Sequence, residues 1–110
     1  MINWIQNWYK ENCDGEWEHH QGIKVETLDN PGWNVEINFN FTNTKISNEN
    51  WKVYEFSEND WIGYSIIDNI FNASGDPLKL NVILKIFKLI TENKSIDEDI
   101  IIQLTNENNG

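Results

Sequence analysis

Between Trp33 and Phe41 apolar and polar residues alternate without a break. Trp33, Val35, Ile37, Phe39 and Phe41 stand against Asn34, Glu36, Asn38 and Asn40. Such a run at period two describes a half-buried strand with one wet face, and places Phe41 with the inward set. Ile23 to Leu28 reads as a shorter strand before it. Asp29-Asn30-Pro31-Gly32 lies between them. Proline presets the second position of a turn and glycine supplies a positive φ at the third, so a type II turn closing a hairpin is expected. Trp51 to Phe56 and Trp61 to Ile67 read as two more strands joined by Ser57-Glu58-Asn59-Asp60, and their imperfect alternation predicts a bulge or a slipped register.

Helical spacing marks both ends of the chain. Trp4, Ile5, Trp8 and Tyr9 share one face of a helix over residues 3–13, with Asn3 and Gln6 as a capping pair and Gly15 beyond its end. Residues 14–22 then form a polar loop or an irregular strand. Ala73-Ser74-Gly75-Asp76-Pro77 announces a second helix, with Asp76 as cap and Pro77 at the first helical position. Leu78 to Glu92 is apolar nearly all round apart from Asn81, Lys85, Lys88 and Glu92, as in a helix that packs on a sheet and on a second surface too. Lys79, Lys85, Lys88 and Lys94 read as its solvated side. Ser95-Ile96-Asp97-Glu98 is a further capping box, after which Ile96, Ile100, Ile101 and Leu104 keep helical spacing; the β-branched Ile100–Ile102 leaves a short strand open. The fold class expected is α+β: an antiparallel sheet of about four strands with an N-terminal helix and C-terminal helices packed on it. Residues 1–105 make one domain and 106–110 a frayed tail.

Charge narrows the function classes. Eight Lys plus Arg against 18 Asp plus Glu give a net charge of −10, and arginine is absent. Binding nucleic acid or an anionic membrane surface needs cationic contacts to phosphate, so neither is an expected partner, whereas a basic protein surface would be attracted and steered. Without arginine there is no bidentate clamp on phosphate or carboxylate. The single cysteine, Cys13, makes no internal disulfide, and neither a basic-then-apolar leader nor a membrane-length apolar run is present; a cytoplasmic location is expected.

The densest polar cluster is Cys13-Asp14-Gly15-Glu16-Trp17-Glu18-His19-His20. If extended, this segment would place Asp14, Glu16, Glu18 and His20 on one face, a comb able to hold a divalent ion or form an acid–base pair. Cys13 is a poor nucleophile candidate, because a helix C-terminus and three nearby carboxylates raise a thiol pKa. A small metal-dependent or thiol enzyme built on Cys13–His20 is the alternative reading; the leading one has no catalytic residue, no cofactor and no metal. Trp17 and Trp61 stand among carboxylates in turn-like surroundings, as interface anchors do, while Trp4, Trp8 and Trp33 fit the core. A homodimer through the apolar helix Leu78 to Ile90 leaves the oligomeric state open.

The stretch from Trp4 to Ile37 resembles the bacterial immunity protein 53 family. The resemblance rests on Trp8-Tyr9, the run Cys13 to His19, Gly22-Ile23 and Thr27-Leu28-Asp29-Asn30-Pro31-Gly32-Trp33. Asp60-Trp61 and Gly75-Asp76-Pro77-Leu78 fit more loosely, and the C-terminal helix and tail match only in character. The resemblance implies a non-enzymatic immunity protein of a polymorphic toxin system, which binds and neutralises a cognate toxin domain. The acidic charge adds the basic groove of a nuclease toxin as a candidate target. Asp14, Glu16, Trp17, Glu18 and His19 are then expected as one contact patch and Asp60 with Trp61 as a second, carboxylates meeting toxin cations and tryptophans serving as anchors.

Overall fold

The alternating segments pair into one sheet, described here from a computed structural model covering the backbone of residues 1–109 and side chains to residue 107. Its strands are β1 (Gly22–Leu28), β2 (Gly32–Asn38), β3 (Glu49–Ser57), β4 (Asp60–Ile67) and β5 (Ile70–Gly75), in the order β1-β2-β5-β4-β3. Every pairing is antiparallel. The helices are α1 (Ile2–Asn12), α2 (Trp17–His20), α3 (Leu80–Thr91) and α4 (Glu98–Asn109).

The sheet has five strands rather than four. The additional one, β5, lies between β2 and β4, where Phe71 and Ala73 are fully buried. Its segment contains Asn72, Ser74 and Gly75, poor strand formers whose pairing is imposed by both neighbours. Ala73-Ser74-Gly75-Asp76-Pro77 is therefore the end of β5 and a turn, not a helix start. The cap position of α3 belongs to Lys79, and Pro77 lies outside the helix.

Directly paired residues share a face, so the registers define rows across the sheet. Val35, Ala73 and Tyr64 form one buried row, which ends at the exposed Val25 on the edge strand, and Ile23, Ile37, Phe71 and Ile66 form another. Helix α3 covers these rows with Val82, Ile83, Ile86, Phe87 and Ile90. Phe87 is the hub: its ring lies 5.1 Å from Trp8, 5.2 Å from Phe71, 6.1 Å from Trp4 and 6.4 Å from Phe39. With α1 on one side and Ile101 and Leu104 of α4 also in the core, the apolar surface of α3 is covered within one chain. Burial settles the β-branched segment as helix. Asp97, not Ser95, caps it, accepting the Ile100 N–H at 2.9 Å. Residues 106–109 continue α4, and Gly110 of the expected tail lies outside the described residues.

Several local expectations are corrected. Asn3 does not cap α1: Met1 holds that position, and no side chain caps it. Gly32 has no positive φ, so the β1–β2 connection is not the expected type II turn. Gly32 instead pairs with Leu28 inside the sheet, where an added Cβ would collide with the Gly75 carbonyl oxygen. The bulge expected in the third and fourth strands is present, with register shifts between Glu49 and Lys52 and between Glu55 and Ser57. The alternation of β2 stops early. Phe39 remains buried, but Phe41 sits at φ 66° with 86% of its surface exposed. The side chain of Asn38 accepts the Asn40 N–H at 3.0 Å, and the Thr42 hydroxyl donates to the Phe39 carbonyl at 2.6 Å. Such local side-chain bonds compete with the ladder and end the strand.

Candidate functional site

The acidic segment is a loop as far as Glu16 and then one helical turn, not a strand. After α1 ends, Cys13 is extended and Gly15 adopts φ 92°, and the chain then makes the single turn α2. Two carboxylates build this corner reciprocally. Asp14 Oδ1 accepts the N–H groups of Glu16 and Trp17, both at 2.9 Å. Glu18 accepts the Asp14 N–H at 2.9 Å and the Gly15 N–H at 2.8 Å. The arrangement is a capping box carried by acidic residues on both sides. Hydrogen bonding favours the ionised forms. The Trp17 N–H, followed by that of Glu16, holds Asp14 below its ordinary pKa. Glu18 is likewise held low by its own N–H, then by those of Asp14 and Gly15.

The comb on one face is thereby overturned, because Asp14 and Glu18 turn their oxygens onto the backbone. Among the described residues no group of three or more His, Cys, Asp or Glu is arranged to hold a metal ion. The Cys13 thiol donates to the Tyr9 carbonyl at 3.2 Å. Trp17 is not available as a surface anchor, being only 2% exposed. Its indole N–H donates to the Asn38 carbonyl at 3.0 Å, and its ring packs edge-on against Trp8 at 5.6 Å. Within the expected first patch, Glu16 and His19 are the exposed side chains that no capping bond occupies, and His20 stands beside them.

Phe41 was missed by sequence reasoning, since strict alternation places it inside. It lines a cleft of about 610 Å³ together with Asp14, Glu16, Trp17, His20 and Gln21. A bulky residue at positive φ is an outlier of the kind that clusters at binding surfaces, and here it carries an aromatic ring into solvent.

The expected second patch is built around a buried cation. Lys79, assigned from sequence to the solvated side of its helix, has a side chain only 4% exposed and bridges Asp60 at 2.7 Å and Asp76 at 2.8 Å. Asp76, expected as a helix cap, also accepts the Trp61 N–H at 3.0 Å and the Leu78 N–H at 2.9 Å. Burial opposes ionisation of Asp76, but the Lys79 bond and these N–H groups outweigh it and hold its pKa low. Burial likewise opposes the charge on Lys79, and its two carboxylate partners reverse that and raise its pKa. Asp60 is thus the part-exposed counterion of a structural cluster. Half-buried Trp61 lines a separate cleft of about 300 Å³ with Pro31, Glu58 and Leu78.

The two patches do not meet. The 14–20 segment and Phe41 lie where β1 starts and β2 ends; Asp60, Trp61 and Asp76 lie where β4 starts and β5 ends. The registers put these at opposite ends of the sheet, roughly 20 Å apart for strands of this length.

The fold and the site define a small α+β domain in which most acidic side chains of the candidate patches hold turns and ion pairs together, leaving a few charges and one aromatic ring to face outward. The family described as Immunity protein 53 matches residues 2–92, and the chain belongs to that family. No curated protein and no solved structure matches it. Membership in an immunity protein family implies a part in a toxin–immunity system, with a protein toxin as the partner and inhibition as the role. Among the described residues no helix is long and apolar enough to cross a membrane.

Proposed function

We propose that the protein neutralises a cognate toxin by stoichiometric binding through the end of the sheet where α2 and Phe41 meet, engaging a basic surface such as the substrate groove of a nuclease. The observation that carries this choice is Phe41, an aromatic ring 86% exposed at the rim of a cleft that also holds Asp14 and Glu16. Aromatic side chains dominate binding hot spots, and a lysine or arginine entering here meets carboxylates and a ring face together. The net charge of −10 steers such a partner from a distance. Asp14, Glu18 and Trp17 take part by holding the corner in shape, Glu16 and His19 by direct contact. Asp60 and Trp61, at the far end of the sheet, form a secondary contact that only a large partner reaches. The protein acts where the toxin would otherwise poison the cell that makes it, in the cytoplasm.

The test is co-expression with the toxin domain encoded beside this gene, followed by a sizing column. Growth rescue with a co-eluting complex is the expected result; toxicity without rescue and without a complex refutes the function. For the site, Glu16→Lys combined with Phe41→Ala should weaken the complex by at least about thirtyfold, the weight of a hot-spot residue. Both side chains are exposed, so the fold is retained. Unchanged affinity in that variant refutes the site while leaving the function standing.

A further inference from the structure

We propose that the cleft bounded by residues 45–49, Lys52 and residues 93–96 binds a small amphipathic anion, a phosphate or carboxylate group carried on an apolar body. Lys45, Lys52 and Lys94 line this cavity of about 500 Å³, with Glu49 as its one acidic residue. Among the described residues Lys24, Lys79, Lys85 and Lys88 each pair with a carboxylate, whereas these three make no ion pair. Lys10, on α1, also lacks an ion pair, but in a chain of net charge −10 three ammonium groups around one cavity with a single carboxylate mark a local reversal of sign.

The floor is apolar. Tyr64, Ile66 and Ile90 are buried side chains that reach the cavity from β4 and α3. Ser47, Asn93 and Ser95 add hydroxyl and amide groups at the walls. The lining is more polar than that of most small-molecule sites, as suits a charged ligand, while the volume falls in the usual range. Diagonally across the β3–β4 pairing from Tyr64, the buried Tyr54 hydroxyl has no hydrogen-bond partner among the described residues. The Lys52 ammonium lies 5.2 Å from the Tyr54 ring centre. Lys94, Ser95 and Ile96 lie beyond the residues matched by the family, so one wall of the cleft belongs to this chain rather than to the family signature.

Phenyl phosphate is the probe, titrated into the isolated protein at low ionic strength and followed by amide chemical shifts, so the outcome is independent of any toxin. Saturable shifts at Lys52, Tyr64, Ile66, Lys94 and Ser95 are expected, with binding about tenfold or more tighter than for inorganic phosphate or phenol. Lys52→Gln with Lys94→Gln should weaken binding by at least about tenfold. The charge-matched control, Lys10→Gln with Lys24→Gln, at exposed lysines that do not line the cleft, should change it by less than about twofold. No saturation, equal weakening in both pairs of variants, or tighter binding of an acidic peptide than of phenyl phosphate overturns the proposal.

Discussion

Replacing Lys79 by Met tests the reading of the Asp60–Lys79–Asp76 cluster as structure rather than interface. The substitution keeps the stem that packs in the core and removes the charge. Asp76, whose side chain is 2% exposed, would then keep only the Trp61 and Leu78 N–H groups as partners, and the burial that opposes its ionisation would no longer be offset by the lysine. Breaking a buried pair by removing one member costs about 3–5 kcal/mol, and the two surviving N–H bonds argue for about 3. Asp60→Asn removes a partner that is 44% exposed, so solvent screening holds its cost to about 1 kcal/mol or less. For a domain of this size about 3 kcal/mol corresponds to a fall in Tm of about 10 °C or more. Urea unfolding followed by tryptophan fluorescence measures both variants. The pH dependence follows from the shifts. Asp76 is held below 3.8, so its contribution is present above that pH and is lost as pH falls through the lowered value. Lys79 is raised above 10.5, so its contribution is present at neutral pH and is lost only as pH rises through the raised value. The difference between wild type and Lys79→Met should therefore be largest where Asp76 is ionised in both proteins, and should narrow as pH falls and the variant's Asp76, having lost the Lys79 bond, takes up its proton first. A loss below about 1 kcal/mol for Lys79→Met, or a larger loss for Asp60→Asn, would refute the reasoning.

Three further outcomes are expected. Phe87→Ala removes the ring shared by Trp4, Trp8, Phe39 and Phe71 and should cost about 3–5 kcal/mol in urea unfolding, since four aromatic neighbours cannot all collapse into the gap. Glu18→Gln should lower Tm at neutral pH and flatten the acid limb. Glu18 is held below its ordinary 4.5, so the stability it adds is present above that pH and fades as pH falls through the lowered value; a variant with an unchanged acid limb would contradict the capping role. Gly32→Ala should destabilise strongly despite the normal φ, because the new Cβ meets the Gly75 carbonyl oxygen, and wild-type stability would show that β2 and β5 separate easily there.

Much of the sheet was legible because β1, β2 and β4 carry apolar runs with the right period and length. β5 was not, since its pairing comes from the strands on either side while its own Asn, Ser and Gly point elsewhere. The same mechanism misled at Asp76-Pro77: a sequence suited to capping a helix is diverted into a cluster in which Asp76 accepts the Trp61 N–H and shares Lys79 with Asp60, and local propensity yields to these tertiary contacts. Phe41 escaped because period-two reasoning has no means of seeing where a strand stops. The acidic corner was visible as a cluster, but its roles depend on chain direction after Gly15, which composition does not encode.

These roles bear on where specificity for a particular toxin resides. The run that carries the family resemblance places Asp14, Gly15, Trp17 and Glu18 in a cap and a core contact, and Gly32 in a close strand crossing. Farther along, Asp76 anchors the buried lysine. Each of these positions is constrained by this chain's own backbone, so none can change freely to follow a changing partner. The outward-facing residues are under no such constraint: Glu16 and His19 project from a corner that others hold, and Phe41 stands outside the quoted motifs altogether. On the proposed function, the buried and capping positions carry the fold, and Glu16, His19 and Phe41 carry the choice of toxin. Exchanging Glu16, His19 and Phe41 between two family members should therefore move toxin preference with the three residues, whereas exchanging Asp14, Trp17 and Glu18 should alter stability and leave preference where it was.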